Sequence, residues 1–318
     1  MSKLDPYEHL RISLNPDGSL TRHHKLPTSA ATGESPQNPS AHAVLSKDVT
    51  LNADKKTWMR IYLPAKLPSN DNSVARLPII FFFHGGGWIS TSVADTAVHE
   101  SSNCISSEVP AIVVSVEFRL APESRLPAQY DDAADAVFWV RNQAADPVAG
   151  DQWITDYGDF SRCYLYGASC GANIAFNAAM RMQQAELQPL KIAGTILNQP
   201  FFGSNRRTGS ELNRADDQYF PLPVQDLLWE LALPVGSDRD HRYCNPLAAE
   251  EKVKNVGRCL VIGYGGDPLI DRQQDFVEML KKQGVTVEAR FDDVGFHGID
   301  MIDSKRTIAI LNFIKLFV

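Results

Sequence analysis

Six runs of almost unbroken apolar residues recur along the chain, at residues 58–63, 77–83, 111–116, 163–166, 192–197 and 258–264. A strand with one face in water alternates apolar and polar residues; runs rich in Ile, Val, Leu and Phe without alternation belong to strands covered on both faces. Amphipathic helical stretches lie between or after them, at 95–107, 130–143, 171–187 and 271–283. Such alternation predicts an α/β fold, a mostly parallel central sheet with helices on both faces. With 318 residues, 44% of them hydrophobic, the chain is long enough to bury this core as a single domain over residues 1–318.

Two regions depart from the alternation. Residues 25–46 are rich in Pro, Ser, Ala and Thr and read as a surface connection after a short helical segment at 7–12. Residues 201–246 read as an insertion over the sheet edge. Its one helical stretch, 224–232, carries Leu227, Leu228, Trp229 and Leu231, more apolar than an exposed helix needs; an ordinary crossover helix is the other reading. The last helix, 304–317, places Ile310, Leu311, Ile314 and Phe317 on one face, a packing pattern.

Charge and composition narrow the partners. The net charge is −7, with no block of Lys or Arg, which argues against nucleic acid or an anionic membrane and favours a small neutral or cationic substrate. No apolar run reaches the ~20 residues of a membrane span, and residues 1–7 lack a basic region leading into an apolar stretch, so the expectation is cytoplasmic. Five cysteines without regular spacing suit a reducing compartment.

The chemistry gathers around Gly167, Ala168, Ser169, Cys170 and Gly171. This G-x-S-x-G ends an apolar run and opens a helical stretch, the arrangement of a strained elbow with a serine at its apex. A serine hydroxyl needs a base and a carboxylate to orient that base. His297, in Gly295–Phe296–His297–Gly298, comes after the strand-like 287–291 and precedes the last helix; Asp267 comes after a strand and the pair Gly265–Gly266. Asp271 competes with Asp267 but sits where a helix cap would. His99 and His241 are weaker candidates for the base. Upstream, the run at 79–83 leads into His84, Gly85, Gly86, Gly87 and Trp88. Such a glycine loop can turn N–H groups of Gly86 and Gly87 inward to join that of Cys170 around a developing oxyanion. Trp88, Phe201, Phe202, Tyr219, Phe220 and Trp229 are candidate walls of a substrate pocket, with core packing as the other reading.

In these motifs the chain resembles the hormone-sensitive-lipase-like branch of the α/β-hydrolases, and within it the plant carboxylesterases. The resemblance spans nearly the whole chain and includes residues 84–88, 118–123 (Phe-Arg-Leu-Ala-Pro-Glu), 126–132, 167–173, 267–272 and 295–298. It implies an α/β-hydrolase fold with a small helical cap from about residues 1–45 and 201–246. It further implies a Ser169, Asp267, His297 triad and an oxyanion hole at Gly85, Gly86, Gly87 and Cys170. The reaction expected is hydrolysis of short-acyl esters of an aromatic or polycyclic metabolite, with no cofactor and no metal. The same family holds lyase- and cyclase-like members and hormone receptors, which stand as alternatives. His297 argues against the gibberellin-receptor type, which lacks that histidine, and Ser169 against the dehydratases that carry Thr. Cys170 stands where Ala or Ser is usual.

Overall fold

The computed structural model describes residues 4–33, 43–67, 69–70, 73–146 and 148–318. Its centre is an eight-stranded sheet built from β1 (Val44–Asn52), β2 (Thr57–Pro64), β3 (Leu77–Phe83), β4 (Ile112–Glu117), β5 (Gly158–Ala168), β6 (Ile192–Asn198), β7 (Cys259–Tyr264) and β8 (Val287–Asp292), in the order 8-7-6-5-3-4-2-1. Only β2 runs against the others. The parallel β/α architecture read from the apolar runs is therefore what the chain adopts.

Sheet residues divide by pleat. Ile79, Phe81 and Phe83 join one buried layer with α2 (Ala128–Ala145), α3 (Cys170–Met182) and α5 (Ile270–Lys282). Ile80 and Phe82 join the other with α1 (Thr96–Glu108) and α6 (Ser304–Phe317). Every residue of β3 is buried, which explains why its sequence shows no alternation.

In the interval 201–246, helix α4 (Leu222–Ala232) is as buried as its apolar sequence predicts: Val224, Leu227, Leu228, Trp229, Leu231 and Ala232 all pack into the main core. A helix apolar on most of its circumference must be buried on most of it.

Before β1, a short helix (Pro6–Leu10) packs on α4, and a hairpin (Ile12–Leu14 with Leu20–Arg22) comes next. The Arg22 guanidinium pairs with Glu123 (2.8 and 2.9 Å) and also donates to the carbonyls of Ile89 and Ala121. Of the expected connection at 25–46, residues 34–42 lie outside the described residues, and its end belongs to β1. Isolated bridges tie Thr28 to Asp95 and Gly33 to Ser46.

Candidate active site

Ser169 sits between the end of β5 and the start of α3, with φ 55° and ψ −120°, a conformation most non-glycine residues avoid. The turn is tight enough that a Cβ on Gly171 would run into the carbonyl oxygen of Phe83. That close approach is the physical reason for a glycine two residues after the serine.

The structure brings together Ser169, His297 and Asp267. Ser169 Oγ lies 2.9 Å from His297 Nε2, and His297 Nδ1 lies 2.9 Å from Asp267 Oδ2. Asp267 is fully buried, and the Leu269 N–H donates to its Oδ1 at 2.9 Å. Burial alone would push the Asp267 carboxyl up, but the charge and hydrogen bond of His297, with those backbone and Gln273 donors, hold it below the usual carboxylate range. Burial likewise depresses the imidazole, yet Asp267 outweighs it, with Asp300 and Asp217 adding, and the His297 pKa is raised. Asp271 is elsewhere: its carboxylate accepts the Ser210 N–H at 2.8 Å, and the cap of α5 is Leu269. His99 belongs to a buried network with Arg60 and Tyr62, and His241 packs on Tyr243.

Two glutamines that the sequence did not single out hold this set. Gln199 donates from Nε2 to Asp267 Oδ2 (2.9 Å) and to the carbonyl of Phe296 (3.1 Å), while its Oε1 accepts the Gly298 N–H (2.9 Å). One side chain thus fastens the acid and both flanks of His297. Gln273 adds a donor to Asp267 Oδ2 at 2.9 Å. No motif marks either residue; their roles come from the ends of separate strands and helices meeting in space.

The glycine loop passes beside the elbow. Gly86 has φ +106°, and a Cβ there would strike the Thr91 side chain. The N–H groups of Gly86, Gly87 and Cys170 donate to no backbone carbonyl among the described residues, and that of Gly87 faces the Cys170 sulfur. The Cys170 thiol reaches under this loop: Trp88 N–H donates to its sulfur at 3.3 Å. Burial pushes that thiol up to about 12, so it remains protonated and serves as a prop. Its side chain ties the elbow to the loop.

The expected aromatic walls divide. Trp88, Phe201, Phe202 and Trp229 are at most 2% exposed. Three of them, Trp88, Phe201 and Trp229, pack on one another with ring centres 4.6–5.2 Å apart, Trp88 stacked on Phe201 and Trp229 tilted against both. Phe202 packs against Phe176 and Phe276. All four are core residues: Trp88, Phe201 and Trp229 form one cluster in which Trp88 belongs to the glycine loop, and Phe202 lies against α3 and α5. Phe220 and Tyr219 do reach the site, stacking on His297 at 4.4 Å and on Phe296 at 4.1 Å.

A cavity of about 220 Å³ opens on the other side of the loop, between α1 and α6. Gly85, Gly86 and Ala168, the neighbour of Ser169, form its inner end, and Val98, Ile105 and Leu311 are among its apolar walls. The helical periodicity of α1 and α6 reads as packing, which hides the fact that part of each packed face looks onto a void.

Residues 80–301 match the model of a family described by its α/β-hydrolase fold. A probable carboxylesterase of Arabidopsis thaliana is 52% identical, covering 99% of this chain and 97% of its own length. A 3-O-acetylpapaveroxine carboxylesterase of Papaver somniferum is 44% identical over 99% of both chains. Among solved structures, an esterase of Pyrobaculum calidifontis shares the fold at a TM-score of 0.71 and 24% identity, covering 86% of this chain and 84% of that one. With the family model spanning most of the sheet, and relatives matching end to end, the chain belongs to the α/β-hydrolase family, among its plant carboxylesterases, which are serine hydrolases of carboxylic esters.

Proposed function

We propose that this carboxylesterase removes a short acyl group, acetyl above all, from a small aromatic or polycyclic metabolite by way of an acyl-enzyme on Ser169. The observation that carries the reading is the relay from Ser169 Oγ through His297 to Asp267, 2.9 Å at each link. His297 Nε2 takes the hydroxyl proton as Oγ attacks the ester carbonyl, and Asp267 fixes the imidazole's tautomer and stabilises its charged form. The N–H groups of Gly86, Gly87 and Cys170 meet the oxyanion, each contributing ~3 kcal/mol to lowering the barrier. The proton on His297 passes to the departing alcohol, water then attacks the acyl-enzyme with His297 again as base, and the acid leaves. The poppy relative is named for an acetyl ester, which supports the acyl preference. A cap formed by the N-terminal segment and residues 201–246 is supported by the packing of the first helix on α4 and by Tyr219 and Phe220 stacked over the histidine loop.

A fluorophosphonate tests the nucleophile. The phosphonyl adduct is expected on the peptide carrying Ser169, located by mass spectrometry, with acetyl esters turned over faster than octanoyl esters. Labelling that is absent or falls on another residue sinks the reading in favour of a lyase, a cyclase or a ligand binder on this scaffold.

The pH profile is set by His297. The base works only when neutral, so kcat/KM rises with pH as the imidazole loses its proton. Because its pKa is raised, the midpoint of that limb is expected above the ordinary histidine value of 6.5. A limb centred below that value contradicts the Asp267–His297 coupling.

A further inference from the structure

The cavity behind the glycine loop has walls that are mostly apolar, yet Asp300 is among them. Asp300 lies on the short turn Ile299–Met301, three residues beyond His297. Its carboxylate accepts one side-chain hydrogen bond, from Asn198 Nδ2 at 3.1 Å, and no Lys or Arg is found among the described residues that line the cavity. His84 also lines it, but burial drives that imidazole's pKa down to about 4, so it carries no charge at neutral pH. Burial raises the Asp300 pKa, and the nearby His297 and the Asn198 hydrogen bond offset that rise only in part. Phe82 and Tyr166 line the same space, their rings 5.1 Å apart. Aromatic faces beside a carboxylate attract an alkylated ammonium ion through their quadrupoles and its charge together. The volume, about 220 Å³, compares with ~150 Å³ for an apolar cavity that takes up benzene, so a group of that order fits.

We infer that Asp300 makes this cavity selective for esters bearing a positively charged amine, held between its carboxylate and the rings of Phe82 and Tyr166. The inference rests on the ester-hydrolase reading of Ser169 and adds a substrate class to it. The cavity touches Ala168, the neighbour of Ser169, and Gly85 and Gly86 of the glycine loop, so a group lodged there lies next to the elbow that carries the serine.

Two ester pairs test it. In the first, choline acetate is compared with the isostere in which tert-butyl replaces trimethylammonium, so the charge is on the alcohol side. In the second, the p-nitrophenyl ester of trimethylammonio-butanoate is compared with its carbon isostere, placing the charge on the acyl side. Quaternary nitrogen keeps the charge fixed at every pH. In at least one pair the wild-type enzyme is expected to favour the cation by about tenfold or more in kcat/KM. Asp300→Asn is expected to bring that ratio close to one, whatever happens to the absolute rates, and Asp300→Glu to restore part of it. A purely structural role for Asp300 would slow both members of a pair alike and leave the ratio unmoved.

Should Asp300→Asn fail to fold, inhibition of the wild-type enzyme gives a second measurement. Choline is then expected to compete at least about tenfold more tightly than its tert-butyl isostere. Equal inhibition overturns the inference. Hydrolysis of both members without a preference in either pair, or a preference that survives Asp300→Asn, overturns the inference and leaves the hydrolase reading standing. Wild-type enzyme that cleaves none of the four esters and resists the fluorophosphonate overturns the hydrolase reading and the inference with it.

Discussion

Ser169→Ala is expected to lower kcat for p-nitrophenyl acetate by roughly 10⁵- to 10⁶-fold, the range seen when a triad nucleophile is removed. What survives should be the modest acceleration from the oxyanion donors and from binding alone. Folding should be little changed, for a local reason. The backbone at Ser169 is held at φ 55° by the passage from β5 into α3, and alanine meets the same Cβ constraint as serine there. The hydroxyl lost makes a hydrogen bond to His297, which keeps its bond to Asp267. Stopped-flow or steady-state assay paired with a thermal melt separates the two effects. A variant retaining more than about a hundredth of the activity, with an unshifted melt, would remove Ser169 from the mechanism.

Asp267→Asn is expected to cost about 10⁴-fold in kcat while the triad's spacing is kept. An amide in place of the carboxylate can present its NH₂ to His297 Nδ1. The ring then carries its proton on Nε2, the atom that must accept one from Ser169. Three other donors, from Leu269, Gln199 and Gln273, also point at these oxygens, and an amide nitrogen among them leaves at least one donor facing a donor. Loss of stability should therefore accompany the loss of rate. The pH limb supplies a diagnostic: with the carboxylate gone, the main influence raising the His297 pKa goes too, and the residual activity should rise at lower pH than in the wild-type enzyme. A drop of less than tenfold, with an unmoved limb, would show that the acid acts elsewhere.

The legible parts of this molecule are those where burial is total or geometry is severe. β3 and β7 are buried at every position, so their runs stand out without any alternation. The elbow and the glycine loop are visible because close approach restricts them to glycine, and that restriction is written in one residue type. By contrast β1, on the sheet edge, mixes Lys47, Asp48 and Thr50 into a strand of alternating burial, and its first residues read in sequence as the end of a loop. The aromatic residues mislead because an apolar ring looks the same in sequence whether it walls a cavity or fills a core. Trp88 and Trp229 fill the core, while Val98 and Leu311, whose spacing suggests only packing, border the cavity. Gln199 is invisible for a related reason: its amide joins residues from β7's end and the histidine loop, and nothing local to residue 199 records that.

The Arg22 clamp gives the first two dozen residues a share in the fate of the glycine loop. Its guanidinium reaches the carbonyl of Ile89, one residue past Trp88 and 67 positions away in the chain. Glu123, its partner, has a pKa lowered to about 2: burial works against ionisation, but the hydrogen bonds from Arg22 and Leu20 more than reverse that. With the folded-state pKa depressed, the clamp's contribution is present above the unfolded-state value and lost as pH falls through the folded one, so it is intact throughout the range in which His297 can act as a base. The hairpin Ile12–Leu14 with Leu20–Arg22 therefore acts as a buttress of the glycine loop. A change at Arg22 is therefore felt at the glycine loop, through the carbonyl of Ile89.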